Sequence, residues 1–138
     1  APYRLDLIRG SHLLLAEPCK TVYLLEVPGE RRIIFVLPWK GNTIVGTTEV
    51  RQGVDEPIAC SDEERTYLIN TYKHYFPHKQ PEVVETFAGL RPLIHSKKDP
   101  ARATREYAIH RTGKLVTVFG GKWTTSMALA RKISKSIQ

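Results

Sequence analysis

Sulfur is scarce in this chain of 138 residues: there are two cysteines, Cys19 and Cys60, and a single methionine, Met127. The cysteines lie far apart, with no second thiol at C-x-x-C spacing and no histidine pair nearby, so zinc-ribbon and thioredoxin-like chemistry have no support and both are expected as reduced structural thiols. Long apolar runs are also missing. The longest, residues 33–39, has the length of a strand and not the roughly 18 residues of a membrane-spanning helix. The opening residues, Ala1-Pro2-Tyr3-Arg4, carry none of the hydrophobic segment of a secretory signal. The chain does not open on Met and is expected to be a piece of something longer.

Acidic residues are few at one end. The formal net charge is +7, from 21 Lys and Arg against 14 Asp and Glu. Residues 99–138 hold eight bases and two acids, so nearly all of the excess sits there. Such a surface attracts nucleic acid, anionic lipid or a small phosphorylated anion. No stacking aromatic platform is interleaved with the bases and no recognition motif is present, so nucleic acid is not expected as a partner.

What remains is an ordinary globular composition, with 41% hydrophobic and 25% charged residues, enough to bury a core without disulfides or metal. Apolar runs at residues 3–8 and 12–15 read as extended, and those at 21–27, 31–37 and 43–48 form an antiparallel meander with at least one covered face. Ser61-Asp62-Glu63-Glu64 has the S-x-x-E form of a capping box opening a helix that Pro77 ends, with Leu68, Tyr72, Tyr75 and Phe76 at helical spacing. Residues 83–90, 105–110 and 115–119 return to strands, and residues 124–137 form a helix with Leu129, Ile133 and Ile137 on one stripe. This order predicts an α+β fold, a mixed, mainly antiparallel sheet with a helix packed on it.

The strand ending at Phe119 runs through Gly120-Gly121-Lys122 into Thr124-Thr125 and the last helix. Glycines permit close approach, and helix-terminal N–H groups with a lysine favour an anion. It is not a Walker A loop, because Val116 stands where the upstream glycine belongs and Trp123 follows the lysine. The alternative is a loop tightened by glycine for geometry alone. Arg91, stiffened by Pro92 at a strand end, suits carboxylate or phosphate, or else pairs with an acid such as Glu85. Arg105 heads a strand, and His12 follows Gly10-Ser11 between apolar runs, where an imidazole takes a proton near neutral pH or is bonded into the sheet. Gly46-Thr47-Thr48-Glu49 reads as a turn before a site.

Six blocks in order, Gly10-Ser11-His12, residues 34–39, residues 44–48, Gly89-Leu90-Arg91-Pro92-Leu93, residues 103–107 and residues 119–125, closely resemble the FAD-dependent glycerol-3-phosphate dehydrogenases. Departures are mild: Glu49 stands where the family usually has Asp, Trp123 where Leu is expected and Ser126 where Tyr is expected. The resemblance implies oxidation of sn-glycerol 3-phosphate to dihydroxyacetone phosphate on FAD, with electrons passed to a quinone, or to oxygen in oxidase relatives. It implies a cytoplasmic enzyme peripheral to the inner membrane. By the same resemblance His12 and Arg91 stand at the reacting carbinol, Arg105 and Lys122 hold the phosphate, and Gly120, Gly121, Thr124 and Thr125 lie against the flavin. The sheet is expected to be that of the substrate-binding domain of amino-acid-oxidase-like flavoenzymes. Residues 1–110 would form the substrate-binding portion and residues 111–138 the return into the FAD domain. The G-x-G-x-x-G fingerprint that opens that domain is absent, since Gly41, Gly46 and Gly53 are misspaced. The chain alone is therefore expected neither to hold FAD stably nor to turn over. The competing expectations are an amino-acid-oxidase-type flavoprotein and a non-enzymatic basic anion-binding module.

Overall fold

The computed structural model describes residues 3–95 and 107–137. Among them are eight strands, β1 (Leu5–Leu15), β2 (Tyr23–Glu26), β3 (Ile33–Trp39), β4 (Asn42–Gly46), β5 (Val50–Gln52), β6 (Val83–Ile94), β7 (Tyr107–Thr112) and β8 (Leu115–Gly120), and two helices, α1 (Asp62–Tyr75) and α2 (Ser126–Ile137). The fold is α+β and mainly antiparallel. Its strands form one sheet in the order β2-β3-β4-β1-β5, with β6 also paired to β1, and a separate β7-β8 hairpin. Two compact units are distinct, Ile8–Arg91 and the remainder, residues 1–7 with 92–138.

In the first unit the meander β2-β3-β4 follows from its alternating apolar residues. Leu25 pairs with Ile34, and Val36 with Val45, so these side chains point to one face, where they are buried with Leu13, Leu15 and Val27. Helix α1 covers that face with Leu68 and Tyr72. Its N-terminus is the predicted capping box: Ser61 accepts from the Glu64 amide at 3.2 Å and Glu64 accepts from the Ser61 amide at 3.0 Å. Asp62, Glu63 and Glu64 crowd the first turn and Lys73 and His74 the last, as the helix dipole favours. The opposite sheet face carries Leu24 and Phe35, which remain 61% and 43% exposed.

Three elements differ from the sequence reading. Strand β1 is continuous through Gly10-Ser11, because the glycine is accommodated as a position without a side chain and not as a break. Strand β6 runs past Leu90 through Pro92; among the described residues it pairs only with β1, and an edge strand of this kind tolerates a proline. Strand β5 is too short for periodicity to announce it.

In the second unit Gly113, at φ 59°, turns β7 into β8, and a single 3₁₀ turn, Trp123–Thr125, precedes α2. Within α2, Leu129 and Ile133 of the predicted stripe are half-buried and Ile137 is exposed. Cys19 and Cys60 are free thiols.

Leu68 is completely buried, whereas Val54 is 82% exposed. Replacing Leu68 by Ala is expected to lower the unfolding free energy by about 2–5 kcal/mol, and Val54 by Ala to change it by less than about 0.5 kcal/mol, both read from urea midpoints at constant m.

Candidate active site

Alternation along β1 sorts three consecutive residues onto two faces. Ser11 points toward α1, while Gly10 and His12 point to the other face. His12 stands opposite Gly46 in the β1-β4 register, and a Cβ added to Gly46 would collide with the imidazole of His12. The ring thus lies over bare backbone. Its other neighbour is Phe87 of β6, stacked almost parallel, with centroids 4.8 Å apart and planes 6° from each other. Nδ1 of His12 is buried with no hydrogen-bond partner among the described residues. Burial and then the positive charge of Arg91 lower its pKa below the ordinary 6.5, so the imidazole is neutral near neutral pH.

Arg91 reaches the same face. A Cβ on Gly10 would meet its guanidinium, and would lie 2.5 Å from Thr47 Oγ1. Arg91 Nη2 donates to the Thr48 carbonyl at 2.9 Å and Nη1 stands 3.5 Å from Glu49 Oε1. The acid beside it is Glu49 and not Glu85, for a geometric reason. Glu85 lies six residues away along the same strand, roughly 20 Å at strand rise.

Residues 46–49 are more than a turn. The Gly46–Thr47 peptide is cis. Thr48 is 2% exposed, accepts from the Ser11 amide at 2.8 Å and donates to Glu64 Oε1 at 2.5 Å. Glu64 also accepts from Ser11 Oγ at 2.9 Å, and its Oε2 accepts from Arg9 Nε at 3.0 Å and pairs with Nη2 at 2.9 Å. Burial raises the carboxyl pKa of Glu64, but the bonds from Thr48, Ser61, Ser11 and Arg9 outweigh it and hold the group below the usual carboxylate value. Sequence reasoning recognised Glu64 only as a cap. A charged cap four residues before a buried Leu is the faint signal that was available.

A cavity of about 290 Å³ opens behind Glu49, lined in part by Arg32, Thr48 and Tyr67. Burial, and next the hydrogen bond to Glu30, push the Tyr67 phenol up to about 12, so it stays protonated. Arg32 approaches Glu49 to 3.8 Å from this side, which leaves Glu49 between two guanidiniums.

The other expected residues belong to the second unit. Gly120 and Gly121 have φ values of 71° and 101°, conformations that disfavour any side chain. Lys122, Thr124 and Thr125 are exposed, and the Thr125 amide bonds to the Lys122 carbonyl at 3.1 Å. No side chain caps the turn that starts there, and neither it nor α2 has an acid in its first turn. A positive-φ glycine pair leading to uncapped N–H groups fits the electron-rich edge of a flavin or another anionic group. Arg105 lies outside the described residues. No cluster of metal-binding side chains occurs among those described.

Residues 2–135 match the family described as FAD dependent oxidoreductase, DAO. The chain belongs to that family. It is 37% identical to an aerobic glycerol-3-phosphate dehydrogenase of Escherichia coli, over 94% of this chain and 28% of that protein. It is 34% identical to a D-erythritol 1-phosphate dehydrogenase of Brucella abortus, over 91% of this chain and 27% of that one. The solved structure of a Bacillus halodurans glycerol-3-phosphate dehydrogenase complexed with FAD superposes with a TM-score of 0.80 at 26% identity, over 99% of this chain and 27% of that chain. This family member thus spans a little over a quarter of the relatives it matches.

The space at Gly46 is what lets the imidazole of His12 lie flat on Phe87. Gly46→Ala is expected to displace the ring and to lower stability by about 1–3 kcal/mol. Loss of the Phe87 ring-current shift on the His12 protons in an NMR spectrum checks the displacement, and an unchanged shift contradicts it.

Proposed function

We propose that this chain is the substrate-binding portion, with a short part of the FAD-binding domain, of an enzyme that oxidises sn-glycerol 3-phosphate to dihydroxyacetone phosphate. The observation that carries the reading is the pair at one sheet face: a half-buried imidazole, held neutral, beside an arginine. Membership of the flavin oxidoreductases and the likeness to polyol-phosphate dehydrogenases support the choice of substrate. Residues 1–110 then supply the substrate side and residues 111–138 the return into the FAD domain.

FAD, when bound, supplies the acceptor for the hydride lost from the carbinol carbon. Everything else falls to side chains. His12 accepts the hydroxyl proton, and its lowered pKa keeps it unprotonated and ready for this. Arg91 faces the same oxygen and stabilises the negative charge that develops as the proton leaves, a task for a group charged at every relevant pH. Lys122 and Arg105 bind the phosphate, which carries about −1.5 to −2 near neutral pH. Gly120, Gly121, Thr124 and Thr125 hold the flavin edge, where the uncapped N–H groups favour charge gained on reduction.

Electrons then pass to a quinone, with the enzyme cytoplasmic and peripheral to the inner membrane. Among the described residues no helix is long and apolar enough to cross a membrane, and the basic residues of the final forty supply attraction to an anionic leaflet. Both readings come from the family resemblance.

The deciding experiment mixes the flavin-loaded full-length protein anaerobically with sn-glycerol 3-phosphate, an erythritol phosphate, glycerol and a D-amino acid. Bleaching of the flavin by the first at the highest rate supports the reading, and preference for the amino acid overturns it. Protonated His12 cannot accept a proton, so kcat/KM is expected to fall as pH drops, with a midpoint below 6.5, and His12→Asn to lower kcat by about 10²–10⁴-fold. Lys122→Ala is expected to raise KM about tenfold or more with a smaller change in kcat, as loss of a charged hydrogen bond of about 1.5–3 kcal/mol implies. Equal KM values for the variant and the native enzyme remove Lys122 from the phosphate site.

A further inference from the structure

We propose that Thr48 is the positioning residue of this site, its hydroxyl fixing the backbone carbonyl that holds Arg91 on the His12 face. The inference rests on the roles given to His12 and Arg91 above and adds the residue through which they are placed.

Three bonds fix Thr48. Its Oγ1 accepts from the Ser11 amide at 2.8 Å and donates to Glu64 Oε1 at 2.5 Å, and its own amide donates to the Ser11 carbonyl at 3.3 Å. A hydroxyl has one proton and two lone pairs, and here the proton and one lone pair are committed to β1 and α1. The side chain is buried, so water does not substitute for either partner. The residue so fixed turns its carbonyl to Arg91 Nη2 at 2.9 Å. Glu49, the next residue, stands 3.5 Å from Nη1, so the guanidinium is gripped from two consecutive positions of one segment. Ser11 precedes His12 in β1. The same hydroxyl thus ties the strand that carries the imidazole to the segment that holds the guanidinium, and both to the N-terminal turn of α1.

Threonine suits the position for a chemical reason. Valine has nearly the same shape but leaves a buried amide and a buried carboxylate oxygen each short of a partner. Serine keeps the hydroxyl. The two replacements separate hydrogen bonding from packing.

The test uses the flavin-loaded full-length protein carrying Thr48→Val or Thr48→Ser, with flavin content and melting temperature measured alongside. Thr48→Val is expected to lower kcat about ten- to a hundredfold, as small displacements of reacting groups do, with flavin content retained, and Thr48→Ser to recover most of the loss. A second readout needs no substrate: with ring-labelled histidine, the His12 titration is expected to move up toward its ordinary value in Thr48→Val as Arg91 leaves, and to stay in place in Thr48→Ser. If Thr48→Val does not fold, Thr48→Cys, whose thiol is a weak donor, carries the same expectations. Native kcat together with a native titration in the valine variant overturns the proposal, as does a serine variant no better than valine. Failure of the native protein to reduce its flavin with sn-glycerol 3-phosphate overturns the functional reading instead, and the titration still decides whether Thr48 holds Arg91 beside His12.

Discussion

The Ile8–Arg91 unit is organised around one buried negative charge. An ionised carboxylate taken out of water is costly by several kcal/mol unless every lone pair is engaged. Glu64 meets that condition with four partners from three places in the chain: Arg9 and Ser11 on β1, Thr48 beyond β4, and the Ser61 amide at its own helix start. Because each partner is needed, none is free to drift. The helix, the central strand and the segment after β4 are locked to a common point. Apolar packing of α1 on the sheet gives this unit its stability, but packing tolerates small slides. A fully satisfied ion network does not, since any slide leaves a buried group unpaired.

That rigidity matters on the opposite face of the sheet. Strand alternation converts a contact made by Ser11 on the α1 side into a fixed position for Gly10 and His12 on the other. Thr48 acts likewise, with its side chain turned to the network and its carbonyl to Arg91. The polar cluster and the candidate catalytic pair are thus two faces of the same few residues. Burial alone would disfavour a charged imidazole, and the nearby guanidinium disfavours it further. A base kept neutral by its surroundings next to a permanent cation is suited to taking a proton from a hydroxyl whose conjugate anion the cation then stabilises.

Much of this is legible in the sequence. The meander followed from Val, Ile, Leu and Phe in short runs, the start of α1 from Ser61 and Glu64, and the glycine turn before α2 from Gly120-Gly121, because each depends on neighbours within a few residues. The order of six motifs pointed to the flavoenzyme family. What stayed hidden is long-range. Glu64 bonds to Ser11 across 53 residues of chain and to Thr48 across 16, and no local pattern encodes such a meeting. From the sequence, Arg91 suits an acid such as Glu85, yet strand rise carries Glu85 out of reach and the crossing segment brings Glu49 in. The residues after β4 resembled an ordinary turn, since hydroxyl-rich segments with glycine usually are one.

The glycines of the family-like blocks divide by physical cause. At Gly10 and Gly46 no left-handed backbone is involved; what matters is the absent Cβ, whose place is taken by the guanidinium of Arg91 and the ring of His12. At Gly120 and Gly121 the backbone itself is left-handed, and the nearest obstacle to a Cβ on Gly121, Leu129 Cδ2 at 3.4 Å, is an ordinary contact. An alanine therefore acts differently at the two kinds of position. In the sheet it displaces the His12 ring or the Arg91 guanidinium while the backbone stays put; before α2 it opposes the chain path that exposes the helix-terminal N–H groups. Motifs that look alike as letters thus serve one unit by making room for side chains and the other by bending the main chain.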